Sequence, residues 1–160
     1  MKQLWAPWRK SYIEQGTSGG CIFCDNAKGR NDRKNHIVSR AATCFSMLNL
    51  FPYNGGHLMV APFRHVAVLD GLEDRELAGL IALVRDSISL LKRALRPDGF
   101  NVGMNLGLVA GAGVAHHVHV HVVPRWSGDT NFMPVISGTK VIPQALDEMY
   151  EMLIGAKRQE

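Results

Sequence analysis

From residue 37 onward the chain is punctuated by short apolar runs. Ile37-Val38-Ser39-Arg40, the stretch TCFSMLNL from Thr43 to Leu50, and HLMVAPF from His57 to Phe63 are rich in β-branched, aromatic and large apolar residues. Turn formers separate them, most plainly Pro52-Tyr53-Asn54-Gly55-Gly56. Such runs predict two or three antiparallel strands. Between Asp70 and Arg96 the pattern changes: Leu77, Ile81, Val84, Ile88, Leu91 and Leu95 recur at spacings of four and three, which puts them on one face of one long helix. Asp70 can cap that helix, Glu73 and Asp74 suit its positive first turn, and Pro97 with Gly99 stops it. A glycine-rich segment, FNVGMNLGLVAGAGVA, then leads into HHVHVHVVP, where His117, His119 and His121 alternate with Val118, Val120 and Val122. Period-two alternation predicts a strand with histidines on one face and valines on the other, the valines packing on the long helix. From Pro143 to about Ala156, the positions Ala145, Leu146, Met149 and Leu153 predict a short closing helix.

The remaining segments read as irregular. Residues 25–36, DNAKGRNDRKNH, are polar and charge-mixed, the pattern of a solvated loop. Residues 1–20 carry two tryptophans and end in Gly-Thr-Ser-Gly-Gly, which suggests an arm docked by its aromatics. With 160 residues, no internal repeat and no composition break, a single domain over 1–160 is expected, residues 1–20 forming its arm.

Composition narrows the function classes. An apolar content of 46% supports one core, and charged residues at 20% argue against extensive disorder. The net charge of +4 suits a phosphate-bearing ligand but is modest for a nucleic-acid binder. No apolar run approaches the ~18 residues that span a bilayer, and the first residues lack a signal-peptide core, so a cytoplasmic protein is expected. Three cysteines, an odd count, argue against a closed disulfide framework. Cys21 and Cys24 form a Cys-x-x-Cys pair, open to a metal or a redox role, whereas Cys44 reads as a small buried apolar residue.

Three histidines on one strand face are unusual. At a rise of ~3.3 Å per residue, neighbours lie ~6.6 Å apart and the outer pair ~13 Å, too far for one ion with bonds of ~2.0–2.1 Å to take all three. The three must divide their roles. Ahead of them, the small residues from Asn105 to Val114, Gly111 and Gly113 among them, can let backbone N–H groups approach an anion. A neutral imidazole, with an unperturbed pKa of ~6.5, can attack a phosphoryl centre and split transfer into two covalent steps.

The run HHVHVHVVPRW resembles the signature of the histidine triad (HIT) superfamily of nucleotide hydrolases and transferases. LNLFPYNGGHLMVAPFRH, PDGFNVGMNLG, VVPRWSGDTNFM and KVIPQ are similar to blocks of its bacterial diadenosine tetraphosphate phosphorylase branch, covering about residues 45–146. The resemblance implies an α+β fold with an antiparallel sheet of about five strands, one long helix and a short C-terminal helix, dimerising into a ten-stranded sheet. It implies that His119 is the nucleophile on the nucleotide α-phosphate and that His121 binds and orients the phosphate. Asn105 falls near the phosphates, Asn49 at the ribose, and His57 near the nucleotide pocket, where a structural histidine is an equal alternative. Gly111, Gly113 and Trp126 are the further substrate-binding candidates. Arg125 suits the pocket or the core.

Cys-x-x-Cys near the start resembles a zinc-binding subgroup, in which the remaining ligands match His65, ending Pro62-Phe63-Arg64-His65, and His117. Two thiolates and two imidazoles close a tetrahedral zinc, which makes the metal structural. One departure stands out: Ala112-Gly113-Val114 occupies the place where many triad hydrolases carry Gly-Gln-Ser or Gly-Gln-Thr, and where the phosphorylase branch typically keeps a serine. Uridylyltransferase relatives instead carry glutamine at His121. The leading expectation is a phosphorylase that cleaves diadenosine tetraphosphate with inorganic phosphate. A hydrolase of phosphoramidates or dinucleoside polyphosphates, using water, and a zinc-stabilised nucleotide-binding module without turnover are the rivals. His116 is expected to be an exposed bystander.

Overall fold

The computed structural model describes residues 20–129 and 145–159, so the expected arm, apart from Gly20, and the KVIPQ block lie outside the described residues. Five strands form one antiparallel sheet: β1 (Ile37–Arg40), β2 (Cys44–Leu48), β3 (Leu58–Pro62), β4 (Gly99–Gly103) and β5 (Val120–Arg125). Their spatial order is β1-β2-β3-β5-β4. Among the described residues three α-helices accompany them, α1 (Ile22–Lys28), α2 (Asp74–Leu95) and α3 (Leu146–Lys157), with a 3-10 turn at Leu69–Gly71. This is the α+β arrangement expected.

Strands β2 and β3 are buried along their whole length, which explains why they read as continuous apolar runs rather than alternating ones. One sheet face presents Cys44, Leu48, Leu58, Val60, Val120 and Val122 to α2 and α3. Val120 and Val122 of the histidine segment thus pack in the core beneath the long helix, as the alternation requires, whereas Val118, ahead of the strand, is buried outside this cluster; Cys44 is buried within it. The other face carries Phe45, Met47, Met59 and Ala61 against Cys21 and Phe23 of the α1 region. Leu91, with no exposed surface, lies at the centre of the helix-side core, where truncation to alanine costs about 2–5 kcal/mol.

Helix α2 starts three residues later than expected. Glu73, not Asp70, is its N-cap: the Glu73 backbone N–H donates to the Glu76 carboxylate at 2.9 Å, while Asp70 is used in the 3-10 turn. At the other end Arg96 adopts a left-handed conformation with φ 49°, and its N–H closes on the Lys92 carbonyl before Pro97 forbids another turn. The buried face also differs from the expected stripe. Val84 and Leu91 are buried and Ile88 and Leu95 pack on the core, but Leu77 and Ile81 are exposed. Leu80, Leu83 and Leu90 take their place because the helix is rotated to set them over the sheet.

Two further expectations change. The polar run 25–36 is not wholly a loop, since α1 extends through Lys28 and is held by the fully buried Phe23. Strand β5 begins only at Val120, so His117 and His119 lie in its lead-in segment and His121 alone falls within the strand. The closing helix α3 buries Met149, Tyr150 and Leu153. Gly56, at φ 76°, makes the turn before β3, and a Cβ there would lie 2.5 Å from Leu95. Among the described residues no helix is long and apolar enough to cross a membrane.

Candidate active site and metal-ligand cluster

Two groups of histidines meet where the lead-in to β5 passes β3 and α1. The first joins Cys21, Cys24, His65 and His117, whose ligand atoms all lie within 4.8 Å of one another. Cys21 Sγ is 3.2 Å from His117 Nδ1, Cys24 Sγ is 3.2 Å from His65 Nδ1, and Cys24 Sγ is 3.6 Å from His117 Nδ1. In a tetrahedron with Zn–S bonds of ~2.3 Å and Zn–N bonds of ~2.05 Å, the S···N edge is about 3.6 Å. The donor set and its spacing therefore fit a tetrahedral metal.

The hydrogen bonds of His117 support that fit. Its Nε2 lies 2.9 Å from the Pro62 carbonyl, which can only accept, so the ring proton sits on Nε2 and Nδ1 turns a lone pair to the thiols. Burial pulls the His117 pKa down to about 4, against the opposing effect of the Pro62 bond, which keeps the ring in the neutral, ligating form. Burial and the neighbouring Cys21 thiol push Cys24 up, an effect that a bound cation reverses by favouring thiolates. His65 is positioned by its neighbour Arg64, which donates to the Glu76 carboxylate and to the Gly71 carbonyl.

The second group joins Asn49, His57, His119 and His121. His57 is fully buried, and its Nδ1 accepts from the Tyr53 backbone N–H at 3.0 Å and from the Asn49 amide at 3.3 Å. In the neutral ring the proton is then on Nε2, which lies 2.9 Å from His121 Nδ1 and donates to it. His121 is thereby left with its own proton on Nε2. Tyr53 covers this pair, its ring centroid 4.7 Å from His57 and 5.7 Å from His121.

His119 has the opposite arrangement from His117. Its Nδ1 lies 2.8 Å from the His117 carbonyl and must donate to it, so Nε2 carries the lone pair. Burial lowers the pKa of His119, with the carbonyl bond opposing, which favours the neutral ring. His119 as a whole is 4% exposed. The rings of His119 and His121 are edge-on at 4.8 Å, closer than the ~6.6 Å of a regular strand face because His119 precedes the strand.

Other candidates lie apart from these bonds. Asn105 Nδ2 donates to the Gly111 carbonyl at 3.4 Å, and Gly111 takes φ 89° in a loop whose Gly113 is exposed. The half-buried Trp126 is held by its backbone N–H on Asp129. Arg125 braces the end of the sheet, bonding both Asp129 oxygens and, at 2.7 Å, Asn101 of β4. His116 is exposed, 5.4 Å from the His65 ring. Two residues at the site escaped the sequence reading: Tyr53, hidden in a turn signal, and Phe23, whose ring lies 5.1 Å from His117 and 4.8 Å from His119. A large apolar residue between two metal-type cysteines was the available signal for Phe23.

With this geometry in place, similarity to known proteins gives the family. The HIT domain profile matches residues 30–128, and the chain belongs to that family. It is 42% identical over 162 aligned positions to an AP-4-A phosphorylase of Mycobacterium tuberculosis, an alignment covering 96% of this chain and 83% of the relative. Among solved structures, a hypothetical histidine triad nucleotide-binding protein from Sulfolobus tokodaii superposes with a TM-score of 0.65 at 26% identity, covering 87% of this chain and 90% of that one. A Zn-bound histidine triad family protein from Mycobacterium smegmatis has the same fold, with a TM-score of 0.65 at 24% identity over 88% of this chain and 94% of that one.

Proposed function

We propose that this protein is a diadenosine tetraphosphate phosphorylase working through a nucleotidyl-histidine intermediate on His119. The observation that carries the reading is the 42% identity to an AP-4-A phosphorylase across 96% of the chain, joined to a buried histidine with its Nε2 lone pair fixed in place. In the first step Nε2 of His119 forms a bond to an α-phosphorus while the bond from that phosphorus to the bridging oxygen breaks, and ATP leaves. In the second step an oxygen of inorganic phosphate bonds to the same phosphorus, the P–N bond breaks, and ADP leaves with the imidazole restored. His121 presents Nε2–H to a phosphate oxygen in both steps, and His57 keeps it in that tautomer. Asn49, Asn105, Trp126 and the amides about Gly111 and Gly113 are the proposed nucleotide contacts.

Cys21, Cys24, His65 and His117 would hold zinc. When bound, the ion supplies no open position for substrate and serves as a cross-link between α1, the Pro62–His65 segment and the lead-in to β5. The terminal strand β4, which ends the sheet and leaves Val102 exposed, is proposed to pair with its copy in a dimer with a ten-stranded sheet. A cytoplasmic location accords with the reduced thiols this site needs.

Product analysis separates the readings. The purified protein is incubated with diadenosine tetraphosphate, with and without inorganic phosphate. ADP and ATP formed only with phosphate is the expected result. AMP and ATP formed irrespective of phosphate would make the protein a hydrolase, and absence of any product would favour phosphoramidate substrates or a binding module.

A further inference from the structure

Of the two residues between the site cysteines, Ile22 and Phe23, the second is not a spacer. Phe23 has no exposed surface, and its ring faces both imidazoles that follow one another into β5, that of His117 at 5.1 Å and that of His119 at 4.8 Å. Its remaining aromatic neighbour is Phe45, edge-on at 6.4 Å, in the cluster that also holds Met47, Met59 and Ala61. Cys21 and Cys24 therefore fix the one-turn segment whose side chain walls the nucleophile. A second link runs through the backbone, because the His117 whose Nδ1 faces the thiols also supplies the carbonyl that takes the Nδ1 proton of His119.

We infer that Phe23 is a positioning residue for His119, through which the Cys21–Cys24–His65–His117 cluster sets the geometry of the nucleophile. The inference rests on the reading of His119 as nucleophile. A carbonyl bond at Nδ1 fixes one point of an imidazole, and rotation about that bond is still open. A flat ring 4.8 Å away closes it, leaving Nε2 in one orientation. Without the ring, His119 can swing from the His117 carbonyl and exchange tautomers, so Nε2 spends time protonated and misdirected.

The test uses metal-loaded full-length protein and the variants Phe23→Ala and Phe23→Leu, with His119→Ala as reference. Metal per chain and circular dichroism report the fold. Nitrogen-15 spectra of the imidazoles at a pH where they are neutral report the His119 tautomer without turnover, and steady-state kinetics split kcat from KM. For Phe23→Ala we expect full metal content, a mixed His119 tautomer, and kcat lowered by about tenfold or more with little change in KM. Phe23→Leu, which keeps apolar bulk without the flat ring, is expected to show the same two changes at smaller size, with full metal content. A parental tautomer and kcat in Phe23→Ala would overturn the inference. If the alanine variant does not fold, the leucine variant, which also lacks the flat ring, decides: a mixed tautomer at full metal content supports the inference, and a parental spectrum overturns it. Full activity in His119→Ala would instead sink the assignment of the nucleophile, and the nitrogen spectra would still report on Phe23.

Discussion

His117 and His119 are two residues apart, both buried, and both packed on Phe23, yet the structure gives them opposite tautomers. His117 donates its Nε2–H to the Pro62 carbonyl and turns Nδ1 to the thiols, whereas His119 donates its Nδ1–H to the His117 carbonyl and carries its lone pair on Nε2. The metal-type cluster and the reactive cluster are thus built from the same side chain, and the difference lies in which ring nitrogen a backbone carbonyl occupies. A carbonyl is a cheap and unambiguous device for this, since it accepts and never donates.

The comparison can be broken most severely at His119. His119→Ala should lower turnover by roughly four orders of magnitude or more while leaving metal content unchanged, measured by kinetics and metal analysis on one preparation. Cys24→Ser attacks the other cluster. It should weaken metal binding by more than about 100-fold in a competition titration, and activity should fall with metal loss because α1 is released from His119. His57→Ala sharpens the picture within the reactive cluster. Leaving His121 Nδ1 without its donor should cost about ten- to a hundredfold in kcat, from the ~1–3 kcal/mol of an unsatisfied buried group, with metal content intact.

The smallest effect is expected at Glu76, which steadies the segment carrying His65. The Arg64 guanidinium and the Glu73 backbone N–H hold the Glu76 carboxyl down at about 2 from an ordinary 4.5. A depressed carboxylate contributes stability that is fully present above the unfolded value and is lost as pH falls through the folded one. Glu76→Gln should therefore lower the melting temperature by roughly 3 °C at neutral pH and by less and less between pH 4.5 and 2. Equal differences at pH 7 and pH 2 would show that the ion pair is not the cause.

How much of this could be read from residues alone follows from the same contrast. β1, which coincides with Ile37–Arg40, and the packing of Val120 and Val122 on the helix side followed from runs and periods, because burial imposes those patterns locally. Helix α1 was missed because only Phe23 in it is buried and no side chain caps it, so tertiary packing and not a local signal makes it helical. β4 left little trace, since an edge strand with exposed Asn101 and Val102 needs no apolar alternation. The capping residue of α2 was misplaced because Asp70 and Glu73 both suit a first turn, and the bond to Glu76 decides between them. The family resemblance brought Cys21, Cys24, His65 and His117 together as one expected cluster, and their geometry agrees. The tautomers could not be read, because Pro62 lies 55 residues from His117 in the chain and its carbonyl direction is a property of the fold.

The central claim is that His119, and not a neighbouring histidine, carries the nucleotide. Diadenosine tetraphosphate labelled in its α-phosphates is mixed with the protein without inorganic phosphate, quenched in alkali to preserve a P–N bond, and mapped by peptide. The account predicts label on His119 that is discharged as ADP when phosphate is added before quenching. Label on His121 or His57, or turnover with no labelled histidine at any time, would contradict it.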